Sequence, residues 1–400
     1  MNVGILGGGQ LGYMLALAGY PLGLQFRFLD PSPEAPVGRI ALRVNADFTN
    51  AEALERFANG LDVVTYEFEN VPVGSVKTLA QRLPVYPPPQ ALEVAQDRLS
   101  EKSLFRKLGI ATPDFLAVKN ADSLDHAVQK LGLPAVLKTC RLGYDGKGQW
   151  LLREPADVLR AKSEMPAHVH AGDAASATHS AGTAPFVLEQ FVPFARELSI
   201  LSVRSRSGEI IFYPLVENHH REGILRLSLA PAPHLAPKTR ATAEDAARRV
   251  LEALEYVGVL AIELFECANG ELLANEMAPR VHNSGHWTIE GAVTSQFENH
   301  LRAVCGYPLG STAAHGHSAM LNLIGEVPDP ADVLSIPDAH LHLYGKSPRP
   351  GRKLGHVTLQ SASEKHLAQR LAALPAFFQR PVFCLDRAPS AAGILRASGT

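Results

Sequence analysis

One short segment constrains the fold more than any other: two apolar runs separated by Asn269-Gly270. Asn-Gly between apolar runs is the strongest short-range signal for a β-hairpin, closed by a two-residue type I′ turn. That turn fixes the strand register so that Glu263 lies opposite Glu276, with their Cβ atoms about 5 Å apart on one face. The segment therefore predicts an antiparallel hairpin that carries two facing carboxylates.

Two carboxylates this close repel each other, and apolar residues flank both of them. A divalent cation removes the conflict, and oxygen ligands at this separation suit Mg²⁺, which completes its coordination with water and substrate phosphates. The alternative is two solvated glutamates on the outer face of an edge hairpin, which the flanking apolar residues disfavour. The same register places Asn275 on the opposite face, so any role for Asn275 requires a bulge or a backbone contact.

The first hundred residues alternate strand and helix signals, which predicts a parallel sheet with crossover helices. Gly7-Gly8-Gly9-Gln10-Leu11-Gly12 lies between a predicted strand and a predicted helix, and Asp30 ends the second predicted strand. This pattern is typical of dinucleotide-binding folds, in which the acid binds the ribose. A tight turn that needs glycine only for its backbone angles explains the motif equally well. The motif alone therefore leaves open the interpretation that the chain is an NAD-dependent dehydrogenase.

After Tyr86-Pro87-Pro88-Pro89, which marks a boundary, the pattern predicts a single helix over 90–108, a strand at 115–118, a helix at 123–131 and a strand at 135–138. A glycine-rich loop follows at 141–149. Residues 161–185 are rich in Ala, His, Ser, Gly and Thr, which predicts a polar insertion that does not order itself. Strand signals then dominate, at 198–203, 210–216, 258–266 and 271–277, with a helix at 241–254.

Composition narrows the class of protein. A chain of 400 residues is expected to form roughly two to four domains. The 40 acidic and 38 basic residues nearly balance, which argues against a nucleic-acid partner. No apolar run reaches the roughly eighteen residues of a membrane span, and no signal peptide precedes the first strand. The four cysteines form no CxxC pair, so we expect reduced thiols, no zinc site and a cytoplasmic location.

With the hairpin in view, further segments resemble the ATP-grasp superfamily. Lys138 ends a predicted strand, and the loop at 143–149 resembles the flexible loop that closes over the triphosphate. Glu189-Gln190-Phe191-Val192 resembles the hinge that binds adenine, and Glu197 matches the position that binds ribose hydroxyls. Arg98 precedes the small domain, where a phosphate-contacting base is expected.

Within this superfamily the chain is similar to the N5-carboxyaminoimidazole ribonucleotide synthases of bacterial purine synthesis. The similarity spans nearly the whole chain, and the visible departure is the insertion. The matching segments are 7–12, Thr65-Tyr66-Glu67-Phe68-Glu69-Asn70-Val71, 143–149, Glu217-Asn218-His219-His220, 275–286, Tyr344-Gly345-Lys346 and 349–356.

The resemblance implies a mixed α/β ATP-grasp fold in four parts. They are a Rossmann-like substrate domain with a parallel sheet at 1–97, a small lid domain at 98–190 that contains the insertion at about 161–185, a large antiparallel domain with the metal site at 191–340, and a small C-terminal domain at 341–400. It also implies a homodimer and a hand-over of product to an N5-carboxyaminoimidazole ribonucleotide mutase.

The implied reaction is the ATP- and bicarbonate-dependent carboxylation of 5-aminoimidazole ribonucleotide through carboxyphosphate, with Mg²⁺ as cofactor and Mn²⁺ as its substitute. The implied ATP ligands are Arg98, Lys138, Gly143, Tyr144, Asp145, Gly146, Lys147, Gly148, Gln149, Glu189, Gln190, Phe191, Val192, Glu197, His220, Asn275 and Glu276. The implied metal ligands are Glu263 and Glu276. The implied substrate ligands are Gln10, Leu11, Glu69, Asn283, Lys346, Arg352 and Lys353, and the implied catalytic residues are Asp145 and Lys346.

The chemistry of individual side chains supports some of these roles. Lys346, Arg349, Arg352 and Lys353 supply four cations within eight residues, which suits the 5′-phosphate of the substrate. A solvated basic turn is the alternative, above all for Arg349. We favour Asp145 over His220 for proton transfer, because closure of a mobile loop would bring Asp145 to the reacting amine.

Several other functions remain as alternatives. A formate-dependent glycinamide ribonucleotide transformylase or a biotin-type carboxylase would share the ATP-binding half and differ in the acceptor. A dehydrogenase would use the first glycine motif but leave the glutamate hairpin unexplained. A nucleotide-sensing scaffold without catalysis is the non-enzymatic alternative.

Overall fold

The computed structural model describes residues 1–143, 148–173, 184–374 and 377–378, with the backbone alone at 167–173. Within these ranges the strands form three sheets, of four, nine and four strands. The mixed α/β fold predicted from the sequence is confirmed. None of the helices described is both long and apolar enough to span a membrane.

The N-terminal part is a parallel sheet, as the strand and helix alternation predicts. Its elements are β1 Asn2–Leu6, α1 Gln10–Gly19, β2 Gln25–Leu29, β3 Leu42–Val44, α2 Ala51–Ala58, β4 Val63–Tyr66 and α3 Val73–Ala80. The strand order is β3-β2-β1-β4. Ile5 and Leu6, which lie on opposite faces of the central β1, have no exposed surface, as expected for a parallel strand covered on both faces. The first glycine motif follows β1 directly, at the carboxyl edge of the sheet.

Two helices, α4 Pro89–Ala95 and α5 Arg98–Lys107, follow this sheet. The prediction of one helix over 90–108 was wrong, because Asp97 leaves the helical conformation and caps a new helix. The Asp97 carboxylate accepts the backbone N–H of Ser100 at 3.0 Å, which satisfies a donor that the first turn leaves unpaired. The break places Arg98 in the first turn of α5.

The second sheet is antiparallel, in the order β5-β8-β6-β7. Its elements are β5 Phe115–Val118, α6 Ala121–Leu131, β6 Ala135–Thr139, β7 Gln149–Leu152, α7 Pro155–Asp173 and β8 Phe186–Gln190. The prediction that 161–185 does not order itself was wrong for 161–173, which continue α7. Ala161 and Met165 are buried against the sheet, and alanine favours a helix once one face can pack. Residues 174–183 lie outside the described ranges.

The third sheet is the largest. Its elements and the helices around it are β9 Phe194–Arg204, β10 Ile210–Phe212, β11 Val216–Arg221, β12 Ile224–Ala230, α8 Pro237–Ala253, β13 Gly258–Cys267, β14 Leu272–Ala278, α9 Thr288–Gly291, α10 Gln296–Cys305, β15 His317–Ile324, α11 Pro330–Leu334, β16 Ala339–Leu343, β17 Lys353–Ser361 and α12 Glu364–Ala372. The order is β14-β13-β9-β11-β12-β15-β17-β16, and β10 pairs with β9. The single strand predicted at 210–216 is therefore divided between β10 and β11. The sheet continues through the predicted boundary after residue 340, and the domain limits stay predictions.

The β13–β14 hairpin closes with a wider turn than the predicted two-residue turn. Cys267 N–H donates to the carbonyl of Glu271 at 2.9 Å, so three residues lie between these paired positions. Gly270 adopts a φ of 79°, the left-handed conformation that ends a three-residue hairpin loop. The wider turn displaces the register near the loop by one residue.

A bulge in β14 restores the register further along the hairpin. Leu264 pairs with Ala274, whereas the next pair back along β13 is Glu263 with Glu276. Asn275 is therefore the extra residue, and a bulge re-aims the side chain it carries. The predicted pairing of the two glutamates is confirmed, and the bulge that a role for Asn275 would require is present.

Candidate active site

A cleft of about 920 Å³ is lined by strands of the second and third sheets and by segments that follow the strands of the first sheet. It collects the predicted site residues that the structure describes, apart from Gly148. Those lining it are Gln10, Leu11, Glu69, Arg98, Lys138, Gly143, Gln149, Glu189, Gln190, Phe191, Val192, Glu197, His220, Glu263, Asn275, Glu276, Asn283, Lys346, Arg352 and Lys353. Tyr144, Asp145, Gly146 and Lys147 lie outside the described ranges.

The two facing glutamates have different partners. Glu276 accepts a hydrogen bond from Arg98 Nη1 at 2.7 Å. Burial alone would raise the pKa of Glu276, but the Arg98 guanidinium outweighs burial and holds that pKa well below its usual value. Glu263 has His282 Nε2 at 3.4 Å, and burial together with the neighbouring Glu276 raises its pKa. One carboxylate is thus compensated by a cation, and the other carries the repulsion that a bound metal would relieve.

This pair fits Mg²⁺ bound together with a nucleotide. Among the side chains that the structure describes, no group of three or more His, Cys, Asp or Glu could hold a metal ion. Magnesium is usually held by one or two carboxylates, with water and phosphate oxygens completing its shell. Glu263 and Glu276 supply that number of carboxylates, inside a cleft with room for a triphosphate.

Lysines and a buried glutamate form the next part of the cleft. Lys138 Nζ, at the end of β6, lies 3.0 Å from Glu189 Oε2 and 3.3 Å from Asn275 Oδ1. Lys102 Nζ approaches the same Glu189 oxygen at 3.2 Å. Burial alone would raise the pKa of Glu189, but the two lysines hold it below the usual value. The other oxygen, Oε1, is buried with no hydrogen-bond partner in the described structure, so an acceptor remains for a ligand N–H.

Glu197 on β9 and His220 on β11 form a second acid–base pair, in which His220 Nδ1 hydrogen-bonds Glu197 Oε2. Burial lowers the pKa of His220, but Glu197 outweighs burial and raises it to about 9. His220 is therefore a cation near neutral pH, held against the carboxylate. That arrangement suits ligand binding better than proton transfer, which requires a pKa near the working pH.

The basic loop between β16 and β17 borders the cleft beside the first glycine motif, and Lys353 at its end lies close enough to Glu263 to act on its charge. Lys346 donates to the side chain of Gln10, at the start of α1. Burial lowers the pKa of Lys346 to about 8, opposed by Glu67 and reinforced by Arg352 and its neighbours. Arg349 is exposed, whereas Arg352 and Lys353 are half-buried. The loop therefore brings like charges together, as a phosphate site requires.

The first glycine motif does not offer its amides to a dinucleotide. Gly8 N–H donates to Asp30 Oδ2 and Gly9 N–H donates to Glu67 Oε1, both at 2.7 Å. Two amides that would bind a pyrophosphate therefore donate to carboxylates instead. The negative charge of these carboxylates would also repel a pyrophosphate. Asp30 holds the glycine loop by accepting the Gly8 N–H, instead of binding a ribose as it would in a dehydrogenase. This geometry disfavours the dehydrogenase alternative.

Some residues of the cleft were given no role from the sequence. Arg280 Nη2 contacts Glu69 Oε2 at 2.7 Å, and His282 contacts Glu263. Both lie in the 275–286 segment, where a base and a histidine shortly after the metal strand were a usable signal. Asn283 exchanges amide hydrogen bonds with Asn322 at 3.0 and 2.7 Å, and no local pattern identified Asn322.

Three family models match successive parts of the chain. A ribonucleotide synthetase preATP-grasp domain matches residues 1–96, an ATP-grasp domain matches 103–297, and a phosphoribosylaminoimidazole carboxylase C-terminal domain matches 318–370. These matches follow the order of parts that the sequence motifs imply.

Similar proteins cover almost the whole chain. The N5-carboxyaminoimidazole ribonucleotide synthase of Pseudomonas aeruginosa is 53% identical over 379 residues, which are 95% of this chain and 100% of that protein. The protein of the same name from Brucella melitensis is 45% identical over 360 residues, or 89% and 95% of the two chains.

Solved structures agree with these relatives. The N5-carboxyaminoimidazole ribonucleotide synthetase of Thermus thermophilus superimposes with a TM-score of 0.86 at 55% identity, covering 97% of this chain and 99% of that one. The Aspergillus clavatus N5-carboxyaminoimidazole synthase, in complex with ADP and 5-aminoimidazole ribonucleotide, gives a TM-score of 0.83 at 30% identity, covering 95% and 98%.

Proposed function

The chain belongs to the N5-carboxyaminoimidazole ribonucleotide synthase family of ATP-grasp ligases, and from that membership we propose how its own residues carry out the reaction. The enzyme carboxylates 5-aminoimidazole ribonucleotide at the expense of ATP, in purine biosynthesis. One observation supports the division of roles below. A single cleft has facing carboxylates and buried lysines in one part and a cluster of cations beside the first glycine motif in another.

The first step transfers the γ-phosphoryl group of ATP to bicarbonate, which gives ADP and carboxyphosphate. The amine nitrogen of 5-aminoimidazole ribonucleotide then forms a bond to the carboxyl carbon, either within carboxyphosphate or in CO₂ released from it. The bond between that carbon and the phosphate oxygen breaks, inorganic phosphate leaves, and the amine loses one proton. Phosphoryl transfer of this kind depends chiefly on positioning and charge neutralisation.

The end of the cleft at the β13–β14 hairpin binds ATP. Lys138, Arg98 and the loop at 143–149 contact the phosphates, where glycine amides approach closely because no Cβ intervenes. The hinge at 189–192 binds adenine, and the unpaired Oε1 of Glu189 accepts from a ligand N–H. Glu197 and His220 bind the ribose. When bound to Glu263 and Glu276, Mg²⁺ (or Mn²⁺ in its place) neutralises charge on the phosphates.

The part of the cleft between the first glycine motif and the 346–353 loop binds 5-aminoimidazole ribonucleotide. Lys346, Arg352 and Lys353 hold its 5′-phosphate, and Lys346 is held by Gln10 in readiness for it. Gln10, Leu11, Glu69 and Asn283 contact the remainder of the nucleotide. Asp145 accepts the amine proton when the loop closes.

The assembly and its surroundings are also part of the proposal. The chain is expected to form a homodimer, to act in the cytoplasm and to hand its product to an N5-carboxyaminoimidazole ribonucleotide mutase. Sedimentation of the purified chain tests the dimer. Comparison of coupled and separate assays with the mutase tests the hand-over.

An ADP-release assay tests the activity. We expect release of ADP and phosphate with 5-aminoimidazole ribonucleotide, ATP and Mg²⁺, and dependence of that release on bicarbonate. Activity with glycinamide ribonucleotide and formate would favour the transformylase alternative instead. Binding of NAD(H) without binding of ATP would favour the dehydrogenase and overturn the proposal.

A further inference from the structure

One face of α5 carries charged side chains that lie beneath the ATP-binding end of the cleft. Arg98, Glu101 and Lys102 have the i, i+3 and i+4 spacing that places side chains on one helical face. Their exposed fractions are only 8%, 2% and 0%. Charged groups are rarely buried to this extent unless each has a specific partner. The roles assigned above use Arg98 and leave Glu101 and Lys102 unexplained.

The three side chains contact three successive residues of the bulge in β14. Arg98 binds the carboxylate of Glu276 at 2.7 Å. The Glu101 carboxylate accepts the backbone N–H of Met277 at 2.6 Å. Lys102 donates to the backbone carbonyl of Asn275 at 3.2 Å. The helix therefore holds the bulge along its whole length, by side chain and backbone.

The bulge needs such support because β14 is at the edge of its sheet. An edge strand has no neighbouring strand to pair its outer backbone groups, and buried backbone groups require partners. Glu101 and Lys102 supply partners for an N–H and a carbonyl of this strand. Without these two partners we expect the backbone around Asn275 to shift, and the Asn275 side chain would then no longer point toward Lys138.

Lys102 has a second effect, on charge. It contacts Glu189 Oε2 at 3.2 Å, and Lys138 contacts the same oxygen at 3.0 Å. A carboxylate balanced by one lysine would hold that lysine firmly. With Lys102 fixed beneath it, Glu189 is already balanced when Lys138 turns toward an anionic ligand.

We propose that Glu101 and Lys102 are positioning residues for ATP. They fix the bulge that aims Asn275 and Glu276 into the cleft, and Lys102 balances Glu189 so that Lys138 is available to the phosphates. Neither side chain contacts ATP itself. The inference rests on the proposed function, because it takes ATP as the ligand of this end of the cleft.

The test uses the full chain in the ADP-release assay. Lys102→Met removes the charge with little change of volume, and we expect the KM for MgATP to rise at least about tenfold, as for loss of a charged hydrogen bond. The KM for 5-aminoimidazole ribonucleotide should stay within about twofold, since the contacts of Lys102 are with Asn275 and Glu189 and not with the residues proposed to bind that substrate. Lys107→Met, at the exposed end of the same helix, is the matched control and should resemble the wild type.

Glu101 gives an independent comparison. Glu101→Gln keeps an oxygen that accepts the Met277 N–H, whereas Glu101→Met removes it. We expect Glu101→Gln to stay near the wild-type KM for MgATP and Glu101→Met to raise it about tenfold. If Lys102→Met does not fold, the comparison of Glu101→Gln with Glu101→Met still tests whether α5 positions the ATP site.

Three results would overturn the inference. Equal changes in both KM values, or a lower melting temperature with neither KM changed, would show a purely structural role. Identical behaviour of the two Glu101 variants would also exclude positioning through the Met277 amide. Failure of the wild-type chain to release ADP would overturn the proposed function instead, so the two failures are distinguishable.

Discussion

The two ends of the cleft handle charge in opposite ways. At the end proposed to bind ATP, several opposite charges are already paired, as in Arg98 with Glu276 at 2.7 Å and Lys138 with Glu189 at 3.0 Å, although Glu263 still faces Glu276. At the other end, the 346–353 loop gathers cations, and the pKa of Lys346 is lowered to about 8. Opposite charges fix one another in place before the ligand arrives, whereas like charges are stabilised only when a dianion binds.

This difference predicts different kinetic effects at the two ends. At the ATP end, the metal ligands and the cations on the transferred phosphoryl group are proposed to act mainly on the transition state, so their loss should lower kcat. Loss of the supporting residues Glu101 and Lys102 should instead raise the KM for MgATP. The cations of the 346–353 loop contribute binding energy to the substrate phosphate, so their loss should raise the KM for 5-aminoimidazole ribonucleotide. The effects of single substitutions on kcat and on the two KM values therefore test whether the two ends act separately.

The largest effect is expected at the metal pair. Glu276→Gln removes a proposed metal ligand and leaves Arg98 without its anion, so we expect kcat for ADP release to fall about 10²- to 10³-fold. Raising the Mg²⁺ concentration should recover part of the loss. Glu271→Gln, exposed on the same hairpin, is the control. A loss below about tenfold would place the metal elsewhere.

A smaller loss is expected at Asp145, the residue proposed to accept the amine proton. Asp145→Asn keeps the size of the side chain and removes its basicity. We expect kcat to fall about 10²-fold, as for loss of a general base, with the KM for 5-aminoimidazole ribonucleotide unchanged. Near-normal carboxylation by this variant, measured as product formed, would remove Asp145 from proton transfer.

Local patterns predicted much of this architecture. The alternation of strands and helices predicted the parallel sheet, and apolar runs predicted part of the other two, although no strand was predicted at β12, β15, β16 or β17. The glutamate pairing was predicted for an incomplete reason, because a turn one residue wider is offset by one extra residue at Asn275. A hairpin pattern contains no sign of that bulge, since α5 holds it through tertiary contacts.

The remaining differences have the same origin. Composition alone predicted no order at 161–173, yet a sheet face was available for Ala161 and Met165 to pack against. The first glycine motif matched a dinucleotide pattern, but the use of its amides depends on Asp30 and Glu67, which only the fold brings close. Which groups partner one another across separate elements was not encoded in any single segment.

At the phosphate end, Lys346→Met should raise the KM for 5-aminoimidazole ribonucleotide about 10- to 100-fold, the loss expected for a charged hydrogen bond. The KM for MgATP should change little. Lys365→Met, on the exposed face of α12, is the control for lost positive charge. A fall in kcat that exceeds the rise in KM would show that Lys346 acts in catalysis as well as in binding.

The same lysine predicts a pH dependence confined to one end. The Lys346 side chain is charged below its pKa of about 8 in the free enzyme and neutral above it. Since a phosphate binds the charged form, kcat/KM for 5-aminoimidazole ribonucleotide should fall as pH rises through 8, approaching about tenfold per pH unit. Lys346→Arg should remove this limb while kcat/KM for MgATP stays level. An unchanged profile in that variant would assign the titration to another group.

The smallest effect is expected from Arg349, and it tests how far the cation cluster extends. Arg349 is exposed whereas Arg352 is half-buried, and exposed charges are screened by water and salt. Arg349→Met should therefore change the KM for 5-aminoimidazole ribonucleotide by only about twofold, whereas Arg352→Met should raise it about tenfold. The small Arg349 effect should vanish at high salt while the Arg352 effect persists. Equal effects would mean that the whole loop folds over the phosphate, so that the exposed arginine becomes buried when the substrate binds.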